Sequence, residues 1–199
     1  MDVKLPVDIL VVALPLLYAG VVAVYAVTFF GNNNPLERLK RPLLIALILV
    51  HFVYLNLRTF AFEHPPITTV FEILTLLAAS MSVAYLYIEY RTNVRNTGLF
   101  VLFLAFIFQT VSSLYVKDLL VIPDYLHSLL LGFHVSTALL GYTALALSAV
   151  YGLLYLMLYH EIRSSRFGMV YNRLPNLETL EIMMVLNRSL LTTNDYFSE

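Results

Sequence analysis

His127 to Tyr159 reads HSLLLGFHVSTALLGYTALALSAVYGLLYLMLY, 33 residues without one Asp, Glu, Lys or Arg. A run that long and that apolar suits the hydrocarbon of a bilayer, which a helix of roughly 20 residues crosses. As a single helix it would extend ~50 Å, past a ~30 Å hydrocarbon core. Tyr151, Tyr155 and Tyr159 share a helical face and suit an aromatic belt beside His160. Counting ~20 residues back from Tyr155 leaves 132–159 as the crossing part. His134 then falls at the opposite interface, and Asp124–Phe133 is expected along the membrane surface.

Outward from this run, four further stretches have the length and composition of a span: 7–30, 42–62, 67–88 and 98–116. All are read as helix, because open strands leave backbone groups unsatisfied in lipid. The first is too long for the ~7–15-residue core of a signal peptide, and it carries Asp2 and Asp8 where such a peptide is basic. Pro15 lies inside it. The connectors are short: Gly31–Arg41 with a turn at Asn32–Pro35, the EHPP break Glu63–Pro66, the polar Glu89–Thr97, and Lys117–Leu126 with its Pro123–Asp124 turn. Beyond 160 the chain becomes a polar tail, 161–199.

Composition supports this reading. Of 199 residues, 60% are hydrophobic and 13% charged, against about half and a quarter in a soluble domain; the mean hydropathy is +0.79. A net charge of −1 lacks the basic face a nucleic-acid partner needs. With no Cys there is no disulfide, thiolate site or Cys nucleophile. Nor is there a Gly-rich phosphate loop or an HExxH, and nothing identifies an enzyme acting alone. Tyr and Phe number 14 and 13, yet Trp is absent.

Nine of the 12 basic residues (Arg38, Lys40, Arg41, Arg91, Arg95, Arg163, Arg166, Arg173 and Arg188) fall on one side of such a bundle. Lys4, Arg58 and Lys117 fall on the other. The positive-inside rule then sets the N-terminus outside and the tail in the cytoplasm.

Few polar residues interrupt the apolar spans, and each has two readings. His134 is either an interfacial imidazole bonded to headgroups or a carbonyl, or a ligand to haem iron or another transition metal. His127, seven residues earlier, is ~10.5 Å away along a helix, so the two cannot hold opposite faces of one macrocycle. His64 lies on the same outer side, as a solvated turn residue or a second ligand. His51, in mid-span, is a polar contact between helices or a ligand or proton carrier. Arg58 and Glu72 sit at similar depth on neighbouring helices, as a structural clamp, a polar pocket for an anionic group such as a haem propionate, or both.

Three stretches resemble the cytochrome c assembly family of haem-handling membrane proteins, the CcsA/ResC type and its HemX-like relatives. LLLGFHVSTALLGYTALALSAVYGLLYLML (Leu129–Leu158) is similar to the family's helix with an "HVS…GYxA" pattern. HPPITTVFEIL (His64–Leu74) resembles its "PLTNxYES" helix start, with Pro66, Thr68 and Glu72 on the pattern. RLPNLETLE (Arg173–Glu181) resembles its "LPSLExL" cytoplasmic linker. The resemblance runs from about Phe52 to Glu181 and implies that His134 is an outer-facing axial ligand to haem b. In the family, further spans and a Trp-rich outer loop follow the linker. Here MMVLNRSLLTTNDYFSE follows and Trp is absent, which implies dependence on a partner or a truncated reading frame.

The expectation is an all-α, polytopic membrane bundle of about five transmembrane helices, N-out and C-in, in a bacterial plasma membrane. Its function would be haem binding and presentation in cytochrome c maturation. His134 would be the iron ligand and His64 or a partner's residue the second, with Arg58, Glu72 and His51 as further cofactor-binding candidates. A second cytochrome c assembly membrane protein and apocytochrome c would be the partners. The alternatives are a membrane scaffold or regulatory subunit that binds no haem, and a small transporter or proton relay using His51 and Glu72.

Overall fold

A computed structural model of the protein describes residues 4–31, 35–117, 129–165 and 168–189. His127, the Pro123–Asp124 turn and the first part of the expected surface segment lie outside them. Among the described residues there are seven α-helices and no strand: α1 (Lys4–Phe30), α2 (Lys40–Phe62, preceded by a 3-10 turn at Pro35–Leu39), α3 (Val70–Thr92), α4 (Gly98–Tyr115), α5 (Leu129–Arg163), α6 (Met169–Arg173) and α7 (Leu177–Ser189). α1 to α5 are long and apolar enough to cross a membrane, so the chain is an all-α membrane bundle.

α1 to α4 form the packed unit. α4 lies against α1 and α3, and α2 against α1 and α3. Small side chains at the seams, Ala78 and Ala105, are fully buried and let backbones approach, as packing between membrane helices requires. α1 continues through Pro15. Gly98 opens α4 directly against Tyr25 and Tyr85, where a Cβ would collide with both rings.

α3 is fixed at both ends. Thr69 caps its N-terminus in a capping box with Glu72, satisfying backbone donors that a helix start leaves open. Asn93, at φ 54°, ends it, since Asn tolerates the left-handed conformation. The helix therefore includes Glu89–Thr92, expected in the connector.

α5 departs from expectation at its start. Leu129–Phe133, expected along the membrane surface, is continuous with the rest of a 35-residue helix that is about 52 Å long. No proline interrupts Leu129–Arg163, so nothing breaks the backbone ladder there. The second half of α5 packs inward through Leu147, Tyr151, Leu154 and Leu158. Tyr151 is thus a core residue and not part of the belt, while Tyr155 and Tyr159 stack with ring centroids 6.5 Å apart. The tail folds back on α5: Leu180 and Met183 of α7 are fully buried, and Met184 Sδ lies 3.7 Å from the Cβ position of Gly152.

Candidate functional site

The EHPP break turns the chain so that the end of α2 faces the start of α3, and this brings Arg58 and Glu72 together. Both are 1% exposed. Arg58 Nε and Nη2 donate to Glu72 Oε1 at 3.1 and 3.0 Å. Glu72 Oε2 accepts from the Thr68 and Thr69 amides at 2.9 and 3.3 Å, and from the Thr68 hydroxyl. Arg58 Nη2 also donates to the Lys117 carbonyl at 3.1 Å, and its guanidinium lies 4.7 Å from the Phe62 ring centroid. Both carboxylate oxygens are engaged within the protein, the condition under which a buried ion pair is tolerated.

His51 is fully buried in a hydrogen-bonded line across α1 to α4. Thr75 Oγ1 lies 2.6 Å from Gln109 Oε1, an atom that only accepts, so the Thr75 proton is committed there. His51 must then donate from Nε2 to Thr75 Oγ1 at 3.0 Å. Its Nδ1 is left to accept from the Tyr18 hydroxyl at 3.0 Å, whose one proton also faces the Ala78 carbonyl at 3.2 Å. Ser82 Oγ, 2.9 Å from Tyr18 Oη, ends the line on one side. Gln109 Nε2, donating to Ser113 Oγ at 3.0 Å, ends it on the other. With both ring nitrogens bonded, His51 serves the helix interface.

The opposite end of the bundle holds a second buried carboxylate, at a position that hydropathy assigns to the connector. Glu89 is fully buried. It accepts from Tyr25 Oη at 2.8 Å and Arg41 Nε at 3.2 Å, with Arg95 Nε at 3.7 Å. Lys40 pairs with Glu37 at 2.9 Å and lies over the Tyr25 ring. The available signal was an acidic residue one position past the apolar run of α3, facing a connector rich in Arg and Lys.

His64 is buried, and its Nδ1 donates to the Pro65 carbonyl at 3.0 Å. His134 belongs to none of these networks. Its side chain is exposed on the first half of α5, between Phe133 at 71% and Leu140 at 58% exposure. An apolar groove of ≈ 440 Å³ separates this half of α5 from α2 and α3, lined by Phe52, Leu76, Val83, Leu140 and Thr143 among others. Nine residues separate His134 from Thr143, two and a half helical turns, so His134 faces away from the groove. Gly141, seven residues on, shares the His134 face, and a Cβ there would meet nothing within 4 Å. The structure thus joins Arg58 to Glu72 and leaves His134 apart from that pair. Among the described residues, no three His, Cys, Asp or Glu side chains are grouped to hold a metal ion.

No family model matches the chain. It is 30% identical over 135 residues to the protein named cytochrome c biogenesis protein CcsA of Heterosigma akashiwo, in strains NIES-293 / 8280G21-1 and CCMP452 / OLISTH. That match covers 65% of this chain and 42% of each relative. It is also 25% identical over 177 residues to the protein named HemX of Brevibacillus brevis, covering 83% of this chain and 61% of the relative. The chain spans less than two thirds of the length of these relatives. No solved structure matches. The likeness is distant.

Proposed function

We propose that this integral membrane protein handles haem b in cytochrome c maturation, presenting it on the outer side of the membrane through His134. One observation carries the reading: His134 is an imidazole left exposed on an apolar helix face, whereas His51 has both nitrogens bonded and His64 is buried. Neutral imidazole is the common axial ligand to haem iron. Ala138 and Gly141 share its face of α5, and a Cβ at Gly141 would meet nothing within 4 Å, so small residues leave room beside the imidazole. The likeness to the proteins named CcsA supports the same pathway.

The remaining parts follow from that assignment. Haem is cargo, held weakly by one ligand of this chain. A second cytochrome c assembly membrane protein supplies the other ligand and covers the α5 face, and apocytochrome c is the acceptor. His64 becomes the second ligand only if its turn opens. Arg58 and Glu72 hold the α2–α3 turn on the same side, where the pair could meet a propionate only by exchanging partners. The positive-inside excess supports an outward facing for this side, and the membrane of this proposal is a bacterial plasma membrane. On this reading the protein acts as part of a haem-attachment system.

A second reading, a scaffold or regulatory subunit without haem, is favoured by the internal pairing of Glu72, Glu89 and His51. The proton-relay reading loses support because the His51 line ends at the fully buried Ser82.

The test is the Soret spectrum of protein purified from haem-replete membranes, with His134→Ala alongside. Loss or a shift of the band is the expected result. A band of unchanged position and intensity in His134→Ala removes His134 from the ligand role, and no band in the parent protein favours the scaffold.

A further inference from the structure

The Arg173–Glu181 linker has a structural role that haem presentation does not use. Arg173 Nη2 donates to the Gly31 carbonyl at 2.9 Å, and Asn96 Nδ2 donates to the Arg173 carbonyl at 2.7 Å. Leu174 is buried. Asn176 Oδ1 accepts from the Thr179 amide at 2.8 Å, which starts α7. The linker is thereby laid across the ends of the membrane helices, tied to the α1–α2 and α3–α4 connectors.

Between the linker and those connectors lies an open cleft of ≈ 530 Å³, walled by Glu37, Asn93, Arg95, Asn96, Asn172 and Arg173 with adjoining residues. Its character is cationic and amide-rich. The one carboxylate in the wall, Glu37, is paired with the buried Lys40. Arg95 shares Glu89 with Arg41, so one carboxylate serves two guanidiniums and leaves positive charge at the cleft. Arg95 is 31% exposed and 3.7 Å from that carboxylate, a loose pairing that an incoming anion can compete with. Arg173 stands in the same wall, and the Asn93, Asn96 and Asn172 side chains add polar groups around the rim.

We propose that this cleft binds a phosphate-bearing anion, with Arg95 and Arg173 as the cationic grip. Guanidinium groups bind phosphate oxygens through paired hydrogen bonds, and basic pockets at the ends of membrane helices accept anionic headgroups. The cleft opens at the end of the apolar helices, where a phospholipid headgroup arrives along the bilayer and a free phosphate arrives from solvent. The proposal is independent of haem binding.

The test titrates the full-length protein, purified in neutral detergent, with short-chain phosphatidylglycerol and, separately, phosphatidylcholine. Tm and native mass spectra are the readouts. Saturable binding and a rise in Tm are expected with phosphatidylglycerol only. Removing one basic side chain near a membrane surface is worth about a fivefold loss of anionic-lipid affinity, the shift expected in Arg95→Gln. Asn172→Asp should weaken binding and Asn172→Lys should tighten it. That exposed residue risks only its Nδ2 bond to the Gly168 carbonyl, 3.0 Å long, so the pair keeps the test valid if Arg95→Gln does not fold. Displacement of the lipid by inorganic phosphate identifies a free phosphate as the ligand, and retention identifies the lipid headgroup. An equal response to phosphatidylcholine overturns the proposal, as does binding that neither Asn172 variant moves.

Discussion

The α1–α4 bundle and the first half of α5 are both apolar in sequence but treat polar side chains in opposite ways. In the bundle, His51, Glu72 and Glu89 are fully or almost fully buried, and each is bonded to side chains from other elements. On α5, Leu130 is 80% exposed and Leu145 68%, and His134 stands among them. A polar group whose bonding capacity is filled from within holds helices together. One presented on an open apolar face is available to something else. Two histidines of the same chain thus have different surroundings, and the proposed ligand role of His134 rests on the number of partners each has already made.

That contrast is broken most directly at Glu72. Glu72→Ala leaves Arg58 buried against no carboxylate and removes the α3 capping box, and losing one partner of a buried pair costs about 3–5 kcal/mol. Denaturation in detergent should show a loss of that order. The double substitution with Arg58→Ala should cost less than the sum of the two single losses. Additive losses would mean that the pair is not coupled.

His51→Ala comes next. It strands Tyr18 and Thr75 in the core, and each buried polar group left unsatisfied costs about 1–3 kcal/mol. His51→Gln, which can both donate and accept, should recover part of the loss. Equal stability of His51→Ala and the parent would end the helix-joining role.

Gly98→Ala tests the other end of the bundle. A methyl group would drive into Tyr25 and Tyr85, and overpacking of this kind costs about 1–3 kcal/mol. Tyr25→Phe should cost about as much as one hydrogen bond to a charged group, 1.5–3 kcal/mol, because Glu89 loses the Tyr25 donor. A neutral effect of either substitution would mean that this end can repack, unlike the tightly bonded end at Glu72.

The fold was largely legible because bilayer thickness sets span length, and the four span starts and ends of α1 and α2 lie within three residues of those read from hydropathy. The Arg58–Glu72 pair was legible for a local reason: a short break leaves two helices no choice but to be neighbours. The Glu89 hub was not. Its partners, Tyr25 and Arg41, come from 64 and 48 residues away, and hydropathy alone ends the span at Ile88. The partners of His51 were hidden likewise, because Tyr18 and Thr75 come from two other helices whose rotations only packing determines. Tyr151 was misassigned because a shared helical face does not say whether that face meets lipid or protein. α7 escaped notice since its apolar side, Leu180 and Met183, is too short to register against five spans.

His134→Ala is the substitution with the smallest expected structural effect and the most informative one. An exposed side chain outside every network should change stability by no more than about 0.5 kcal/mol, against the larger loss at His51. The two positions should separate in the opposite order by Soret spectroscopy: His134→Ala loses or shifts the band, and His51→Gln, the better-folded of the His51 variants, keeps it. The crossing of the two rankings matters more than either value. A structural histidine moves stability and, through unfolding, everything else with it, whereas a ligand histidine moves the spectrum of a protein that remains folded. If His134→Ala destabilises the protein as strongly as His51→Ala does, the first half of α5 is packed against something within the chain, and the division between a closed bundle and an open presenting helix fails.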